Sequence, residues 1–220
     1  MKIFVTHYTK LIDRKVAIEK QFRDHNITDY EFIEKYDRED LTHDEQMLFH
    51  SRILPTSVMS LSLKHRHAYR SIKDNKYDCA LILEDDVILA PNFVAILEGY
   101  MKELPNDYDM LFIGDGCNFH IPGEYLLPDK HVYLKGHYQT PWGGEGATRC
   151  CDSYIVTNAC ATRICQYIDS LIYKTVMPID WWLNIVIREC EFKVYWAEPT
   201  IVTQGSEKGS YCSSTGYTVN

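Results

Sequence analysis

The chain has 220 residues, of which 45% are hydrophobic, and carries a formal net charge of −8. This length and apolar content suffice for one sizeable core. The acidic balance argues against a nucleic-acid-binding protein, because phosphate contacts require clustered Lys and Arg and the chain has no long basic run. No stretch approaches the ~20 apolar residues of a transmembrane helix, and the apolar run in the opening MKIFVTHYTK is too short for a signal peptide.

The eight cysteines favour reduced thiols over a disulfide framework, because the chain shows no export signal. No CxxC pair is present, which argues against a zinc site.

The chain begins with a strand that leads directly into a helix. KIFVT (Lys2–Thr6) is rich in β-branched and aromatic residues and predicts a strand, and a helix follows over Ile12–Asp24. A second short strand is expected at Tyr30–Ile33, followed by a charged surface loop over 34–45. Neither GxGxxG nor GxxxxGK[ST] occurs, so the dinucleotide fingerprint and the P-loop are both absent.

A buried strand that ends in three acids follows a helix predicted over 55–73. In YDCALILEDDVILAP, the apolar run 79–83 ends at Glu84, Asp85 and Asp86. Functional groups of α/β sheets collect at the carboxyl ends of strands. Because side chains alternate along an extended chain, we expect Glu84 and Asp86 to point one way and Asp85 the other.

Two converging carboxylates repel each other, so such a pair must raise a pKa or bind a cation. Oxygen ligands select Mg²⁺, Mn²⁺ or Ca²⁺, and a site with one or two protein carboxylates usually completes its shell with phosphate oxygens. The three acids therefore indicate a metal-chelated nucleotide diphosphate as substrate. The alternative is that they only solvate the end of the strand.

The second half of the chain alternates strands and helices around a long irregular segment. Segment 115–146 is rich in Gly, Pro and aromatic residues, and long loops of this kind are usually functional or mobile. Asp180 stands where a helix N-cap belongs. We predict helices over 92–104, 159–173 and 181–189, strands over 109–114, 152–157 and 192–196, and a polar tail over 199–220.

Several of these segments, in this order, resemble glycosyltransferase family 25, which includes bacterial lipooligosaccharide galactosyltransferases and procollagen galactosyltransferases. LILEDDV carries the most specific resemblance, and Asp13–Arg14 resembles the family's arginine-bearing first turn. In KHRHAYRSI, His65 is kept but Lys64 stands where Ser is usual. The remaining matches are DMLFIG, GATRCCDSYIVTNACAT, PID and EPTIVTQ, with Ser213 beyond.

The resemblance implies a GT-A fold, an α/β Rossmann-like mixed sheet flanked by helices, as a single domain over 1–220. Residues 1–115 would bind the donor and metal, and 116–220 would face the acceptor. The implied reaction transfers galactose or glucose from a UDP-sugar, with Mn²⁺ or Mg²⁺ and with inversion. The acceptor would be a hydroxyl of a glycan, glycolipid or hydroxylated protein, and the missing signal fits a bacterial or viral cytoplasmic setting.

The resemblance also implies roles for individual residues. Asp86 would bind the metal, Glu84 the metal or the donor's ribose, and Asp85 would orient the sugar. Asp180 is the candidate general base, with Asp152 and Asp115 in reserve, and the alternative is that Asp180 is only a helix cap. Residues expected near the uridine or diphosphate are Thr6, His7 and Arg14, and Gln204 is expected near the metal or sugar.

Two other functions stay open on the sequence. Clustered acids at a strand end also serve metal-dependent phosphohydrolases and nucleotidyltransferases. The altered stretch around Lys64 would also be compatible with a non-catalytic carbohydrate-binding relative.

Overall fold

The computed structural model describes residues 1–206 and 208–211. Besides its strands and α-helices it has two short 3₁₀ turns, at Gly116–Asn118 and Gly123–Tyr125. In chain order the strands and α-helices are β1 (Lys2–Thr6), α1 (Ile12–Asp24), β2 (Tyr30–Ile33), α2 (His43–Met47), α3 (Thr56–Asp74), β3 (Cys79–Glu84), β4 (Val87–Leu89), α4 (Phe93–Glu103), β5 (Met110–Phe112), β6 (Val132–Leu134), β7 (Ser153–Thr157), α5 (Asn158–Ser170), α6 (Ile179–Glu189), β8 (Val194–Ala197) and β9 (Val202–Gln204).

The main sheet has the strand order β2-β1-β3-β7-β5-β8-β6, and β4 pairs with β9 in a separate two-stranded sheet. β1 runs parallel to both β2 and β3, whereas β7 runs antiparallel to β3 and β5. β5 and β8 are parallel, and β6 is antiparallel to β8. The predicted α/β class, with a mixed sheet flanked by helices, is confirmed.

Helices cover both faces of the sheet, which explains why the sequence of β3 is continuously apolar up to Glu84. Ala80 and Ile82 face a core shared with α3, α5 and α6. Leu81 and Leu83 face a second core shared with α1 and α4. Successive residues of β3 are therefore buried in opposite layers, and each fully buried aliphatic side chain contributes roughly 1.5–3 kcal/mol.

Four elements were not predicted from the sequence: α2, β4, β6 and β9. α2 lies in the stretch predicted as loop and begins with a capping box, in which the Thr42 hydroxyl accepts from the Glu45 backbone N–H and the Glu45 carboxylate accepts from the Thr42 N–H. β6 lies in the predicted long loop and β9 in the predicted polar tail. The expected N-cap role of Asp180 is wrong, because Pro178 is the N-cap of α6 and Asp180 lies inside the first turn.

The pairing of β4 with β9 folds the tail back over the turn that follows β3. Val87 is opposite Gln204 in this pair, and the Gly205 backbone N–H donates to the Asp86 carbonyl at 2.8 Å. The ring of Tyr211 lies 5.2 Å from the Arg14 guanidinium. In the described part of the chain, every helix is too short or too polar to cross a membrane.

Candidate active site

The three acids lie where the parallel strands β1 and β3 end side by side. Thr6 is opposite Glu84 in the register of this pair. β3 ends at Glu84, and Asp85 and Asp86 form the turn into β4. The expected alternation therefore does not extend beyond Glu84, because the chain is no longer extended there.

Asp85 is buried and has both carboxylate oxygens engaged by the protein. Oδ1 accepts from Arg14 Nη1 at 2.7 Å. Oδ2 accepts from the Tyr8 backbone N–H at 3.2 Å and lies 2.8 Å from His7 Nδ1. Asp85 thus fixes the positions of two residues that the resemblance places near the donor, His7 and Arg14.

Asp86 is buried as well, but it is only partly compensated. Its Oδ2 lies 3.8 Å from Arg14 Nη1, and among the described residues its Oδ1 has no hydrogen-bond partner. Burial raises the pKa of Asp86, although a hydrogen bond from the Ser206 side chain and the charge of Arg14 act in the opposite direction. A buried carboxylate oxygen without a donor is costly, so this position favours a cation.

The side chain of Glu84 is 19% exposed and is surrounded by other acidic side chains. Burial raises its pKa well above the usual range, and the charges of Asp86, Asp180 and Asp152 raise it further. Its Oε1 lies 3.7 Å from Nε2 of His65. Glu84 and Asp86 are therefore close enough to oppose each other's ionisation.

Two further acids, Asp152 and Asp180, lie near Glu84. Asp152 is 1% exposed, and its backbone carbonyl accepts from the Glu84 N–H at 2.8 Å. Burial raises the pKa of Asp152 well above its usual range, even though the Ser153 hydroxyl donates to it at 2.8 Å. Burial also raises the pKa of Asp180, a half-buried residue to which the side chain and backbone of Cys151 donate hydrogen bonds.

These residues fit a divalent cation that is completed by its ligand. Asp86 Oδ1 and Asp152 Oδ1 are both buried without a partner in the described structure, and hard oxygen donors of this kind select Mg²⁺ or Mn²⁺. Within residues 1–206 and 208–211, no group of three or more His, Cys, Asp or Glu side chains is arranged to hold a metal by itself. Asp86 and Glu84 would therefore need phosphate oxygens to complete the coordination shell.

An open cleft adjoins Glu84 and Asp85. The end of β1 forms one wall and α3 forms the opposite wall. The Arg38 guanidinium lies 4.1 Å from the centroid of the Tyr8 ring, which places a stacked cation and aromatic ring at the edge of the cleft. The lining residues are Thr6, His7, Tyr8, Arg38, Ser57, Ser60, Leu61, Lys64, Glu84 and Asp85.

The family model described as "Glycosyltransferase family 25 (LPS biosynthesis protein)" matches residues 1–183, a range that includes all the acids described above. The chain belongs to glycosyltransferase family 25. The resemblance inferred from the motifs is confirmed, whereas β9 and Gln204 lie beyond the matched range.

Three further proteins are similar to this family 25 chain. Protein R655 of Acanthamoeba polyphaga mimivirus, named as a candidate glycosyltransferase, is 34% identical over 139 residues, which is 60% of this chain but only 42% of that protein. A197 from STIV has a TM-score of 0.40 at 14% identity, with 89% of this chain and 81% of that chain covered. A Drosophila β-1,4-galactosyltransferase 7 mutant, in complex with manganese, UDP-Gal and xylobiose, has a TM-score of 0.45 at 11% identity, with 92% and 69% covered.

Lys64, at which this chain departs from the family's usual serine, is a buried residue of the cleft lining that connects three segments of the chain. Its Nζ donates to Asp37 Oδ1 at 2.8 Å and to the carbonyls of Lys35 and Ile33 at 2.8 and 3.3 Å. Burial lowers the pKa of Lys64, although the charge of Asp37 opposes this. Thr9 donates to the other oxygen of Asp37, so the loop after β2, the end of β1 and α3 are held together.

His65 begins a buried hydrogen-bond chain that the sequence did not indicate. Its Nδ1 lies 2.8 Å from the Tyr154 hydroxyl, which lies 2.6 Å from the Tyr69 hydroxyl. Burial lowers the pKa of His65 to about 3, so its ring is neutral at physiological pH. The four-residue spacing of His65 and Tyr69 on one face of α3 was the available signal.

The remaining candidate residues, Gln204 and Asp115, lie on the other side of the turn that Asp85 and Asp86 form. The Gln204 backbone N–H donates to Asp115 Oδ1 at 3.2 Å, and Lys208 Nζ lies 3.5 Å from Asp115 Oδ2. The family position at Ser213 lies outside the described residues. The structure therefore brings Thr6, His7, Arg14 and the three acids together, with Asp152, Asp180 and Asp115 around them.

Proposed function

We propose that this chain transfers a hexose, galactose or glucose, from a UDP-sugar to a hydroxyl of a glycan, glycolipid or protein, with inversion and with Mn²⁺ or Mg²⁺ as cofactor. Its membership of glycosyltransferase family 25 supports the reaction class. The observation that carries the proposal is that Glu84 and Asp86, at the end of β3, lie close enough to Asp152 and Asp180 for the four acids to have raised pKa values, and that Glu84 also lines an open cleft. Residues 1–115 would form the donor side of one GT-A domain, and 116–220 its acceptor side.

On the donor side, Asp86 and Glu84 would hold the cation together with the diphosphate. When bound, the metal supplies a Lewis acid that offsets the negative charge developing on the departing UDP. Arg14 adds a fixed positive charge, because Asp85 holds its guanidinium beside Asp86. The contacts of Asp85 support a role in which it acts on the donor sugar by positioning Arg14 and His7.

On the acceptor side, Asp180 would take the proton of the acceptor hydroxyl. Its raised pKa brings the carboxylate closer to the range in which a general base is effective at neutral pH. Asp152 is less suited because it is almost fully buried, and Asp115 is engaged by Gln204 and Lys208. Asp180 is half-buried, in contrast to the almost fully buried Asp152.

Calorimetric titration of UDP-galactose, UDP-glucose and UDP, with and without Mn²⁺, tests the donor side. We expect metal-dependent binding that Asp86→Ala abolishes. Asp169→Ala is the matched control, because Asp169 is an exposed acid on α5 and should leave binding unchanged. If Asp86→Ala bound a UDP-sugar with undiminished metal dependence, the metal assignment would be wrong.

A transfer assay then separates the glycosyltransferase from a phosphohydrolase. Asp180→Asn should keep donor binding but lose transfer by about 10²–10⁴-fold, the usual contribution of a general base. Full-rate hydrolysis of the UDP-sugar without any acceptor, to UMP and a sugar phosphate as expected of a phosphohydrolase, would contradict the transferase assignment. Full transfer activity in Asp180→Asn would show that another group is the base.

A further inference from the structure

Two cysteines from distant parts of the chain meet beside the acid cluster. The Sγ atoms of Cys117 and Cys150 are 2.9 Å apart, although the residues are 33 positions apart in sequence. Cys117 is exposed in the 3₁₀ turn after β5, and Cys150 is half-buried just before β7. A disulfide requires an S–S distance of about 2.05 Å, so only a small local movement separates this contact from a covalent bond.

The backbone at both positions is unusual for cysteine. Cys117 has φ 54° and ψ 22°, and Cys150 has φ 57°, which places both in the left-handed region. Residues with a Cβ seldom adopt this conformation, and Gly or Asn is the usual choice there. Cysteine occupies both of these left-handed positions, and the two sulfurs are in contact.

The two segments that carry these cysteines are packed backbone against backbone. A Cβ added to Gly116 would lie 2.5 Å from the Arg149 carbonyl oxygen and 2.8 Å from Cys150 Cβ, so only glycine fits between them. The same added atom would lie 2.7 Å from Oδ1 of Asp152. This close packing holds the two sulfurs together and places them next to the acid cluster.

We propose that Cys117 and Cys150 are a reversible redox site, which forms an intramolecular disulfide by exchange with a low-molecular-weight disulfide such as oxidised glutathione. The exposed sulfur of Cys117 attacks one sulfur of the oxidant, whose S–S bond breaks and releases one thiol. Cys150 then displaces the second thiol from Cys117 and forms the Cys117–Cys150 bond. Two electrons and two protons pass from the protein to the oxidant, which ends as two thiols.

The bond would close a loop that contains most of the irregular segment after β5. This segment belongs to the acceptor side under the proposed function, so the disulfide would fix both ends of an acceptor-side loop. The effect on transfer depends on that proposal. Formation of the bond does not, because it can be read directly from the mass of the protein.

The test treats the purified chain with oxidised glutathione, alkylates the remaining thiols, and reads intact mass and peptide maps. Wild type should lose two alkylatable thiols, retain no glutathione, and give a Cys117–Cys150 peptide that dithiothreitol cleaves. Cys117→Ser and Cys150→Ser should not form this bond. Cys190→Ser is the matched control, because it removes another half-buried cysteine and should behave like wild type.

Two results would overturn the proposal. The first is a wild-type protein that keeps glutathione on Cys117 without resolving it. The second is a bond from Cys117 or Cys150 to any other cysteine, or no oxidation of either. Because both results come from wild type, a serine variant that fails to fold does not affect them, and a failed transfer assay would not produce either.

Discussion

Replacing Asp85 by Asn tests whether this acid is a structural anchor. The substitution preserves the shape of the side chain but removes the charge that faces Arg14, and it gives the group an N–H₂ donor. Arg14 Nη1 and the Tyr8 backbone N–H both donate to the wild-type carboxylate, so one of them would then face another donor. His7 would lose its charged partner at 2.8 Å.

The expected loss of stability follows from the burial of this group of residues. Removing one partner of a buried ion pair costs about 3–5 kcal/mol, because the other charge is left uncompensated. Asp86 lies 3.8 Å from the same Arg14 nitrogen and partly replaces the lost charge, so we expect the lower end of this range. For a chain of this size, about 3 kcal/mol corresponds to a fall in Tm of roughly 6–12 °C.

Urea unfolding followed by circular dichroism, without metal or nucleotide, measures this effect. Asp169→Asn is the control, because Asp169 forms an exposed ion pair with Arg70, in which the two side chains are 62% and 54% exposed. Exposed pairs contribute about 0–1 kcal/mol, so the control should unfold almost as wild type does. If Asp85→Asn were as stable as the control, the anchoring role of Asp85 would be refuted.

Three further predictions concern the acids, the floor of the cleft and the acceptor side. The pKa of Asp152 is raised above its unfolded value of about 3.9, so the folded state binds more protons between the two values and metal-free stability falls as pH rises through that window. Asp152→Asn should reduce this pH dependence and make the metal-free protein more stable at pH 8, and an unchanged difference in the free energy of unfolding between pH 5 and pH 8, measured in urea, would contradict this. Lys64→Met should destabilise the protein by about 3–5 kcal/mol by leaving Asp37 buried and uncompensated, and adding Asp37→Asn should recover most of the loss; a double variant no better than the single one would argue against the pair. Trp181, 69% exposed and next to Asp180 in α6, offers an aromatic face for an acceptor sugar, so Trp181→Ala should raise the acceptor KM roughly fivefold, the equivalent of about 1 kcal/mol of stacking, while an unchanged KM would place the acceptor elsewhere.

The parts of the fold that the sequence predicted are those with a strong local pattern. The bounds of α1 and β2 agree with the prediction, and both elements are flanked by polar residues. β3 was recognised because a strand buried on both faces must be apolar throughout. The sequence also placed the three acids at the carboxyl end of this strand, where α/β proteins collect functional groups.

The parts that the sequence did not predict depend on contacts between distant residues. β9 has only three residues and is stabilised by pairing with β4, which lies more than 100 positions earlier in the chain. The local sequence therefore predicted only a polar tail there. At α6, Pro178 and Asp180 are both plausible starting residues, and the backbone conformation decides for Pro178. The sequence showed Lys64 only as a departure from the family's pattern. Its structural role was not predictable, because only the folded chain brings its partner Asp37 next to it.

The three consecutive acids are distinguished by what the protein places against each of them. Asp85 meets Arg14, His7 and a backbone N–H, so its charge is satisfied from within. Asp86 retains an oxygen without a partner in the described structure, and Glu84 faces other acids. A protein in which these acids bound no ligand could compensate all three of them in the way that it compensates Asp85. We infer that Glu84 and Asp86 are left uncompensated because they bind a cation that is supplied with the substrate. Donor binding and metal binding should then be mutually dependent, because phosphate oxygens and the two carboxylates complete one coordination shell.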